Sequence, residues 1–239
     1  LQDSSAASDV YKRQVHSTMA QEQQQRLVID IGGGSTEVII GLNEHPLLTE
    51  SLQYGCVTVT QKFFPEQTIT QKAWKRARSA LLGDLQELVQ SVRSSGWKQA
   101  IGTSGTIRAI SSVCVKAGWV ESGISRKSLD QLIDRLIKHG RTDKLKMNGL
   151  SERRSPGFAG GVLVLDALFE SLSIDQLAVS QSALREGLLY DLLGRLEHTD
   201  PRDTTIQAMA RRYELDLQQA KKVRDTALML FDQVAASWE

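Results

Sequence analysis

The sequence contains few of the residues that secreted, zinc-binding and membrane-spanning proteins depend on. Only two cysteines occur in 239 residues, Cys56 and Cys114, and they form no closely spaced pair. A structural zinc site is therefore not expected, and a reducing cytoplasm is the expected compartment, although the two thiols could in principle pair. No apolar run approaches the ~20 residues that a membrane helix needs, and the N-terminus lacks the pattern of a signal peptide. We predict a cytoplasmic protein without integral membrane contact, with peripheral membrane association still possible.

Aromatic residues and net charge are also scarce. Aromatic side chains make up 5% of the chain, and 29 Lys and Arg residues balance 28 Asp and Glu residues to a net charge of +1. A platform of aromatic rings for nucleic-acid bases is therefore not expected, and nucleic acid is excluded as a partner. Because the net charge gives no general attraction for polyanions, any phosphate site must be local, built from backbone N–H groups, a metal ion and a few Lys or Arg side chains.

The hydrophobic pattern predicts an α/β domain that begins with strands. Runs of β-branched residues predict strands at 26–31, 36–41 and 47–52, joined by a glycine turn at 32–35 and by a second turn at His45 and Pro46. This order differs from the strand–loop–helix order of a P-loop or dinucleotide fold. Apolar spacing further along the chain predicts strands at 99–101 and 176–179 and helices at 71–93, 107–116, 128–139, 160–169 and 182–196.

The chain divides by composition into three segments. Residues 1–14 show no periodicity and look non-native or disordered, so they are excluded from the fold prediction. Residues 15–198 form the predicted α/β domain. A polar stretch at 198–202 contains a proline and breaks the pattern. Beyond it only helices are predicted, at 204–213 and 216–238, and residues 199–239 are therefore interpreted as the beginning of a helical domain.

The first candidate site is the turn at Gly32, Gly33 and Gly34. Glycines between two strands let the backbone approach a ligand and turn N–H groups outward into an anion-binding nest. Ser35 and Thr36 add hydroxyl donors. Two carboxylates, Asp30 and Glu37, bracket the turn, and Mg²⁺ prefers such oxygen ligands. The alternative is a structural hairpin in which Asp30 only caps a turn.

Two later motifs also contain groups that can bind a phosphate anion. Gly102, Thr103, Ser104, Gly105 and Thr106 form a predicted loop between a strand and a helix, where hydroxyl groups and the helix N-terminus favour an anion. A purely structural helix cap explains such a loop about equally well. In Ala-Leu-Arg-Glu-Gly at 183–187, Arg185 could bind a phosphate through two parallel hydrogen bonds. The alternative for Arg185 is an ordinary solvent-facing position beside Glu186.

Together these motifs resemble the exopolyphosphatase/guanosine-pentaphosphate phosphohydrolase (Ppx/GppA) family, a branch of the actin–sugar kinase–Hsp70 superfamily. The resemblance runs from about Val15 to the C-terminus and rests on Asp30-Ile-Gly-Gly-Gly-Ser-Thr-Glu37, Tyr54-Gly-Cys-Val57, Gly96-Trp97 and the two later motifs. It implies a ribonuclease H-like (actin-like ATPase) domain followed by an HD-like helical domain. It also implies Mg²⁺-dependent removal of terminal phosphate from polyphosphate or guanosine pentaphosphate.

The resemblance also implies roles for single residues. Asp30 and Glu37 match the metal-associated carboxylates of the family, and 32–35 and 102–106 match its phosphate loops. Relatives are commonly dimers, so a homodimer is possible. Members carry a further phosphate loop upstream and a glutamate base before the first strand, whereas Asp9 in the matching stretch is no convincing substitute. We therefore assign no catalytic residue and expect this polypeptide alone to be an incomplete, nearly inactive enzyme.

Two other functions fit parts of the pattern. An ATP-binding relative such as a sugar kinase or an Hsp70-like ATPase would share the glycine turn, and ATP would then protect the chain against unfolding. A non-catalytic regulator that binds polyphosphate or an alarmone would keep the loops without the chemistry. The sequence does not separate polyphosphate from guanosine pentaphosphate as the preferred substrate.

Overall fold

The computed structural model describes residues 24–42, 45–143, 145–180, 210 and 216–235. The chain divides into two compact units, Leu1–Leu188 and Leu189–Glu239. The segment at 1–14, the helix predicted at 182–196 with its Arg185 motif, and almost all of the helix predicted at 204–213 lie outside the described residues.

A single mixed sheet forms the centre of the first unit. Its six strands among the described residues are β1 (Gln25–Ile31), β2 (Thr36–Leu42), β3 (His45–Leu52), β4 (Gln99–Thr103), β5 (Ile124–Ser125) and β6 (Gln176–Val179), in the order β3-β2-β1-β4-β6-β5. The first three strands are antiparallel, whereas β4 runs parallel to β1 and β6 runs parallel to β4. The α/β class, the opening strands and the strand at 176–179 are thereby confirmed.

The described helices of the first unit pack on one face of this sheet, around a central helix. They are α1 (Cys56–Phe63), α2 (Gln71–Asp84), α3 (Gln86–Ser95), α4 (Ser104–Lys116), α5 (Arg126–His139) and α6 (Ser155–Leu172), with a 3₁₀ turn at Glu152–Arg154 directly before α6. In the second unit the structure describes α7 (Leu217–Ala235), where the Asp216 carboxylate accepts the N–H groups of Gln218 and Gln219 at 2.9 and 3.1 Å.

Helix α6 is the core of the first unit. It is apolar on nearly all sides and buried along most of its length, as expected for a helix surrounded by others. It packs against all five of the other helices that the structure describes in this unit. A methyl group at Gly160 would lie 2.3 Å from the carbonyl oxygen of Cys56, so only glycine permits this approach of α6 to α1. The contact holds the N-terminal ends of α1 and α6 side by side.

The prediction of one continuous helix at 71–93 was wrong. The segment forms α2 and α3, which meet at Leu85, where φ and ψ are −86° and −2°. Gly83 and Asp84 precede the break, and neither favours a helix interior. The Asp84 carboxylate accepts a hydrogen bond from the hydroxyl of Tyr54. Leu81 before the break and Leu88 after it are both buried in the core. The spacing of apolar residues in the sequence therefore continues across the break.

The turn predicted at His45 and Pro46 was also wrong, because both residues belong to β3. Strand β3 forms an edge of the sheet. A proline is tolerated at an edge, where its missing N–H group breaks no ladder of hydrogen bonds. The pairing with β2 is irregular between Ile40 and Gly41, opposite this end of β3.

The predicted loop at 102–106 does not exist as a separate element. Gly102 and Thr103 end β4, and Ser104, Gly105 and Thr106 form the first turn of α4, so the strand passes directly into the helix. Helix α1 and strand β5 were not predicted. Helix α5 begins two residues earlier than predicted, and α6 extends beyond the predicted 160–169 at both ends.

Both cysteines are free thiols. Burial raises the pKa of the Cys114 thiol to about 11, so this cysteine is a core residue without thiolate chemistry near neutral pH. Within the described ranges, no helix has both the length and the apolar character needed to cross a bilayer.

Candidate phosphate-binding site

A cavity of about 310 Å³ opens where β1 and β4 end. Four elements meet there: the turn after β1, the first turns of α1 and α4, and the segment that leads into α6. The lining residues are Ile31, Gly32, Gly33, Cys56, Val57, Ser104, Gly105, Thr106, Ala109, Arg153, Arg154, Gly157 and Phe158. The first two predicted phosphate motifs are therefore neighbours in space, although some seventy positions separate Gly32 from Ser104 in the sequence.

Helix α1 fixes the glycine turn. The N–H groups of Cys56 and Val57 donate to the carbonyl oxygens of Gly32 and Gly33, both at 2.9 Å. The turn thus satisfies the first N–H groups of α1, which would otherwise have no partner. Among the described residues, no acceptor is found for the N–H groups of Gly33 and Gly34. The carbonyl groups of the turn face the protein, and these amides remain available to an anion.

The first turn of α4 presents a second set of amides. Thr103, the N-cap residue, makes no side-chain capping bond. Within the described part of the chain, the N–H groups of Gly105 and Thr106 also have no protein acceptor. Ser104 adopts a φ of +87°, which is strained for a residue other than glycine and is typical of functional sites. An anion in the cavity would meet the positive end of the helix dipole of α4.

Arg153 and Arg154 bring positive charge to the cavity. Both are exposed residues of the 3₁₀ turn before α6. The guanidinium group of Arg154 lies against Gly105, with Nη2 only 1.8 Å from the place that a methyl group there would occupy. Neither arginine forms an ion pair within the described ranges. Sequence analysis missed both residues, and the available signal was two adjacent arginines directly before a Ser-Pro-Gly helix start.

The two predicted metal ligands lie beside the cavity and not in its lining. Asp30 and Glu37 are directly opposite each other on β1 and β2. Side chains alternate along a strand, so both lie on the sheet face of Val28 and Ile39, away from α6. The Glu37 carboxylate accepts the hydroxyl of Ser35 at 2.6 Å. Among the described residues no group of three or more His, Cys, Asp and Glu side chains could hold a metal ion.

Other predicted phosphate-binding residues have structural contacts. Thr36 is fully buried, and its hydroxyl donates to the carbonyl oxygen of Tyr54 at 2.5 Å. A side chain at Gly102 would clash with Ile107 and Leu177, so this glycine permits the packing between β4, α4 and β6. The remaining predicted residues outside the lining are Gly34, Ser35 and Thr103. Arg185 lies outside the described residues.

Curated relatives of this chain are named as pyrophosphatases. The chain is 37% identical over 213 residues to the guanosine-5′-triphosphate,3′-diphosphate pyrophosphatase of Aeromonas hydrophila, an alignment that covers 89% of this chain and 43% of the relative. It is 36% identical, with the same coverage, to the protein of that name from Aeromonas salmonicida. The chain therefore spans less than half the length of the curated relatives it matches.

Solved structures share the fold at low sequence identity. The Ppx/GppA protein of Aquifex aeolicus superposes with a TM-score of 0.68 at 22% identity, covering 80% of this chain and 62% of that one. An exopolyphosphatase from Cytophaga hutchinsonii gives the same TM-score and identity, covering 79% of this chain and 63% of that one. These likenesses establish that the α/β part of the chain has the fold of the solved Ppx/GppA structures.

The family of the chain follows from a match over most of its length. The model of the Ppx/GppA phosphatase family matches residues 9–196, which include the glycine turn, the first turn of α4 and both arginines. The chain thus belongs to the Ppx/GppA phosphatase family.

Proposed function

We propose that this chain provides the phosphate-binding part of an enzyme that hydrolyses the terminal phosphoanhydride bond of polyphosphate or guanosine pentaphosphate. One observation carries the proposal: the turn at Gly32 and Gly33, the first turn of α4 and the two arginines line a single cavity. Outward amides, a helix N-terminus and guanidinium groups are the donors that bind phosphate oxygens. The names of the curated relatives point to the same chemistry.

The geometry supports binding and charge stabilisation. In phosphoryl transfer the protein mainly positions the phosphates and stabilises the charge on their equatorial oxygens. The amides of Gly33, Gly105 and Thr106 are held by the fold before a ligand arrives, and the exposed Arg154 adds a positive charge. These groups would hold the terminal phosphate while water attacks it.

Activation of the attacking water has no candidate in this cavity. The described lining residues include no carboxylate and no histidine. Loss of a general base typically slows a reaction ~10²–10⁴-fold. We therefore expect the 239-residue chain to bind phosphate chains and to hydrolyse them slowly.

Asp30 and Glu37 fit a Mg²⁺ site next to the turn. They are paired across β1 and β2 and offer the oxygen ligands that Mg²⁺ prefers. With only two carboxylates, such a site needs phosphate oxygens and water to complete six-fold coordination, as is usual for Mg²⁺. Bound Mg²⁺ would neutralise phosphate charge there. The hydroxyl of Ser35 orients the Glu37 carboxylate.

Arg154→Gln tests the proposal, with tripolyphosphate and Mg²⁺ as the ligand in isothermal titration calorimetry. A charge-assisted hydrogen bond contributes about 1.5–3 kcal/mol, so we expect the dissociation constant to rise by about 10- to 100-fold. Arg76→Gln is the matched control because Arg76 is an exposed residue of α2 that does not line the cavity. Equal affinities of Arg154→Gln and the unchanged chain would refute the phosphate site.

A further inference from the structure

Helix α1 and the residues directly before it hold the glycine turn from one side. The carbonyl oxygen of Tyr54 accepts the hydroxyl of Thr36 at 2.5 Å. The first three N–H groups of α1, at 56–58, donate to the carbonyl oxygens of Gly32 and Gly33 at 2.9, 2.9 and 3.3 Å. The segment that contains the Tyr-Gly-Cys-Val motif therefore binds the turn along its whole length.

Gly55 makes this close approach possible. The residue is buried, and a β-carbon there would lie 2.3 Å from the carbonyl carbon and oxygen of Gly33 and 2.4 Å from the nitrogen of Gly34. These atoms belong to the backbone of the turn, so no side chain can move aside. The φ and ψ of Gly55, −106° and 172°, suit any residue. The contact, and not the backbone conformation, requires glycine at this position.

The bonded carbonyl groups determine where the amides of the turn point. A peptide group is planar and trans, so its C=O and N–H bonds point in opposite directions. The carbonyl group of Gly32 shares a peptide group with the N–H group of Gly33, and the carbonyl group of Gly33 shares one with the N–H group of Gly34. Because α1 binds both carbonyl oxygens, it turns both N–H groups away from itself. Neither N–H group has an acceptor among the described residues.

We propose that Gly55 is a positioning residue of the phosphate site: its missing side chain lets α1 hold the carbonyl groups of the turn, and this contact directs the amides of Gly33 and Gly34 toward a bound phosphate. Gly55 itself does not line the cavity. The inference rests on the proposed function and adds the contact that fixes the turn before a ligand arrives. Donors fixed in advance bind an anion more tightly because no binding energy is used to order them.

Gly55→Ala in the whole 239-residue chain tests the inference, with tripolyphosphate and Mg²⁺ in isothermal titration calorimetry at a temperature where the variant is folded. We expect the dissociation constant to rise about tenfold or more, as for the loss of one hydrogen bond to a charged group. Gly123→Ala is the matched control. Its β-carbon would lie 2.6 Å from the carbonyl oxygen of Leu177, and Gly123 does not line the cavity. This control should lose stability and keep its affinity.

Amide signals in NMR spectra separate the direction of the turn from general destabilisation. Saturating tripolyphosphate should shift the signals of Gly33, Gly105 and Thr106 in the unchanged chain. In Gly55→Ala the shift of Gly33 should be lost, whereas the shifts of Gly105 and Thr106 should remain because α4 sets the direction of those amides. An unaltered shift of Gly33 in Gly55→Ala would contradict the positioning role.

Thr58→Val keeps the inference testable if Gly55→Ala does not fold. The exposed hydroxyl of Thr58 accepts the N–H group of Gly55 at 2.9 Å and lies 3.3 Å from the carbonyl oxygen of Gly34. The variant should weaken tripolyphosphate binding about threefold, as expected for one hydrogen bond between neutral groups, and Thr58→Ser should restore it. Thr70→Val is the control, since Thr70 caps α2 by accepting the N–H group of Ala73 at 3.1 Å.

Failure of the positioning role and failure of the proposed function give different results. Tripolyphosphate binding that Arg154→Gln weakens, and that Gly55→Ala and Thr58→Val leave unchanged, would overturn the positioning role alone. The same loss of affinity in each variant and its control would also overturn it. A chain that does not bind tripolyphosphate would overturn the phosphate site and the positioning role together.

Discussion

At Gly105 the absence of a side chain determines where a positive charge lies. The guanidinium group of Arg154 occupies the space that a β-carbon would need, so it rests against the first turn of α4. Arg154 is exposed and belongs to a different element. The position of the Arg154 guanidinium group therefore depends on the absence of a side chain at Gly105 as much as on the conformation of Arg154 itself. The same glycine-to-alanine change, made at Gly105 and at Gly83, should separate the positioning of Arg154 from the effect of alanine on helix stability.

Gly105→Ala should weaken phosphate binding without unfolding the protein. The flexible arginine can move away from the added methyl group, so the cost in stability is small, whereas Arg154 loses its place in the cavity. We expect about a tenfold loss in affinity for tripolyphosphate, equal to about 1.4 kcal/mol. Calorimetry measures the affinity, and urea denaturation measures the free energy of unfolding.

Gly83→Ala is the control for that variant. Gly83 lies near the end of α2, and nothing lies within 4 Å of the position of the added methyl group. Alanine is favoured over glycine in a helix by about 1 kcal/mol, so this variant should be more stable and bind phosphate normally. If both variants lose affinity equally, the contact between Arg154 and Gly105 has no part in binding.

Among the thirteen described lining residues of the proposed phosphate cavity, five were predicted from the sequence to bind phosphate: Gly32, Gly33, Ser104, Gly105 and Thr106. The glycine turn and the 104–106 segment were recognised because glycine and hydroxyl residues between regular elements favour anions, and both line the cavity. Arg153 and Arg154 were missed because nothing local distinguishes them from ordinary surface arginines. The hydroxyl of Thr36 was wrongly expected to be available, since its acceptor, the Tyr54 carbonyl, lies on a different element.

At the scale of elements, the packing of α6 against its neighbours involves one charged residue, Asp166, within an otherwise apolar helix. Asp166 is buried on α6 and accepts the indole N–H of Trp74 at 3.1 Å. It also forms ion pairs with Arg78 and Arg126, each at 3.0 Å. One carboxylate thereby joins α2 and α5 to α6. The arginines of the cavity lie in the 3₁₀ turn directly before this helix.

Asp166→Ala should destabilise the first unit strongly. Removing one partner of a buried ion pair costs about 3–5 kcal/mol. Arg78 and Arg126 are partly exposed and keep their other partners, Glu170 and Asp130, so the expected loss lies near the lower limit. The free energy of unfolding in urea measures it. Asp130→Ala removes an exposed partner of the same Arg126 and should cost less than about 1 kcal/mol. Similar losses in the two variants would contradict the role of Asp166.

Some elements could not be predicted from local pattern. Helix α1 contains Val57, Thr58, Val59 and Thr60 in succession, and such β-branched residues disfavour a helix. Tertiary contacts stabilise it instead: its first N–H groups bind the glycine turn, and Gly160 of α6 packs against it. The break at Leu85 was missed because the apolar spacing of α2 and α3 is continuous. Strand β1 and the turn after it were predictable because the β-branched residues of 26–31 favour a strand and the glycines that follow them favour a turn.

For the molecule as a whole, ligand binding should appear as resistance to unfolding. A ligand that binds only the folded chain stabilises it by about 2.7 kcal/mol at one hundred times its dissociation constant. Tripolyphosphate should therefore raise the melting temperature of the chain, and Mg²⁺ should raise it further if Asp30 holds the ion. Asp30→Asn should abolish the further rise in melting temperature caused by Mg²⁺ and keep the rise caused by tripolyphosphate alone. Differential scanning calorimetry measures both.

The control for Asp30→Asn is Asp134→Asn, at an exposed position of α5. This variant should keep the full rise in melting temperature caused by Mg²⁺. If that rise survives in Asp30→Asn, the metal ion binds elsewhere.

The HD-like character of the second unit and the possible homodimer stay predictions.

Among the described residues, β3 and β5 form the two edges of the sheet, and their character affects how the protein behaves at high concentration. At one margin, β3 carries Pro46, which has no N–H group to offer a neighbouring chain, and its pairing is irregular nearby. At the other margin, β5 is only two residues long. Short strands and prolines at a margin discourage intermolecular strand addition. The proline that misled the prediction of a turn thus helps to keep separate copies of this protein from joining into fibres.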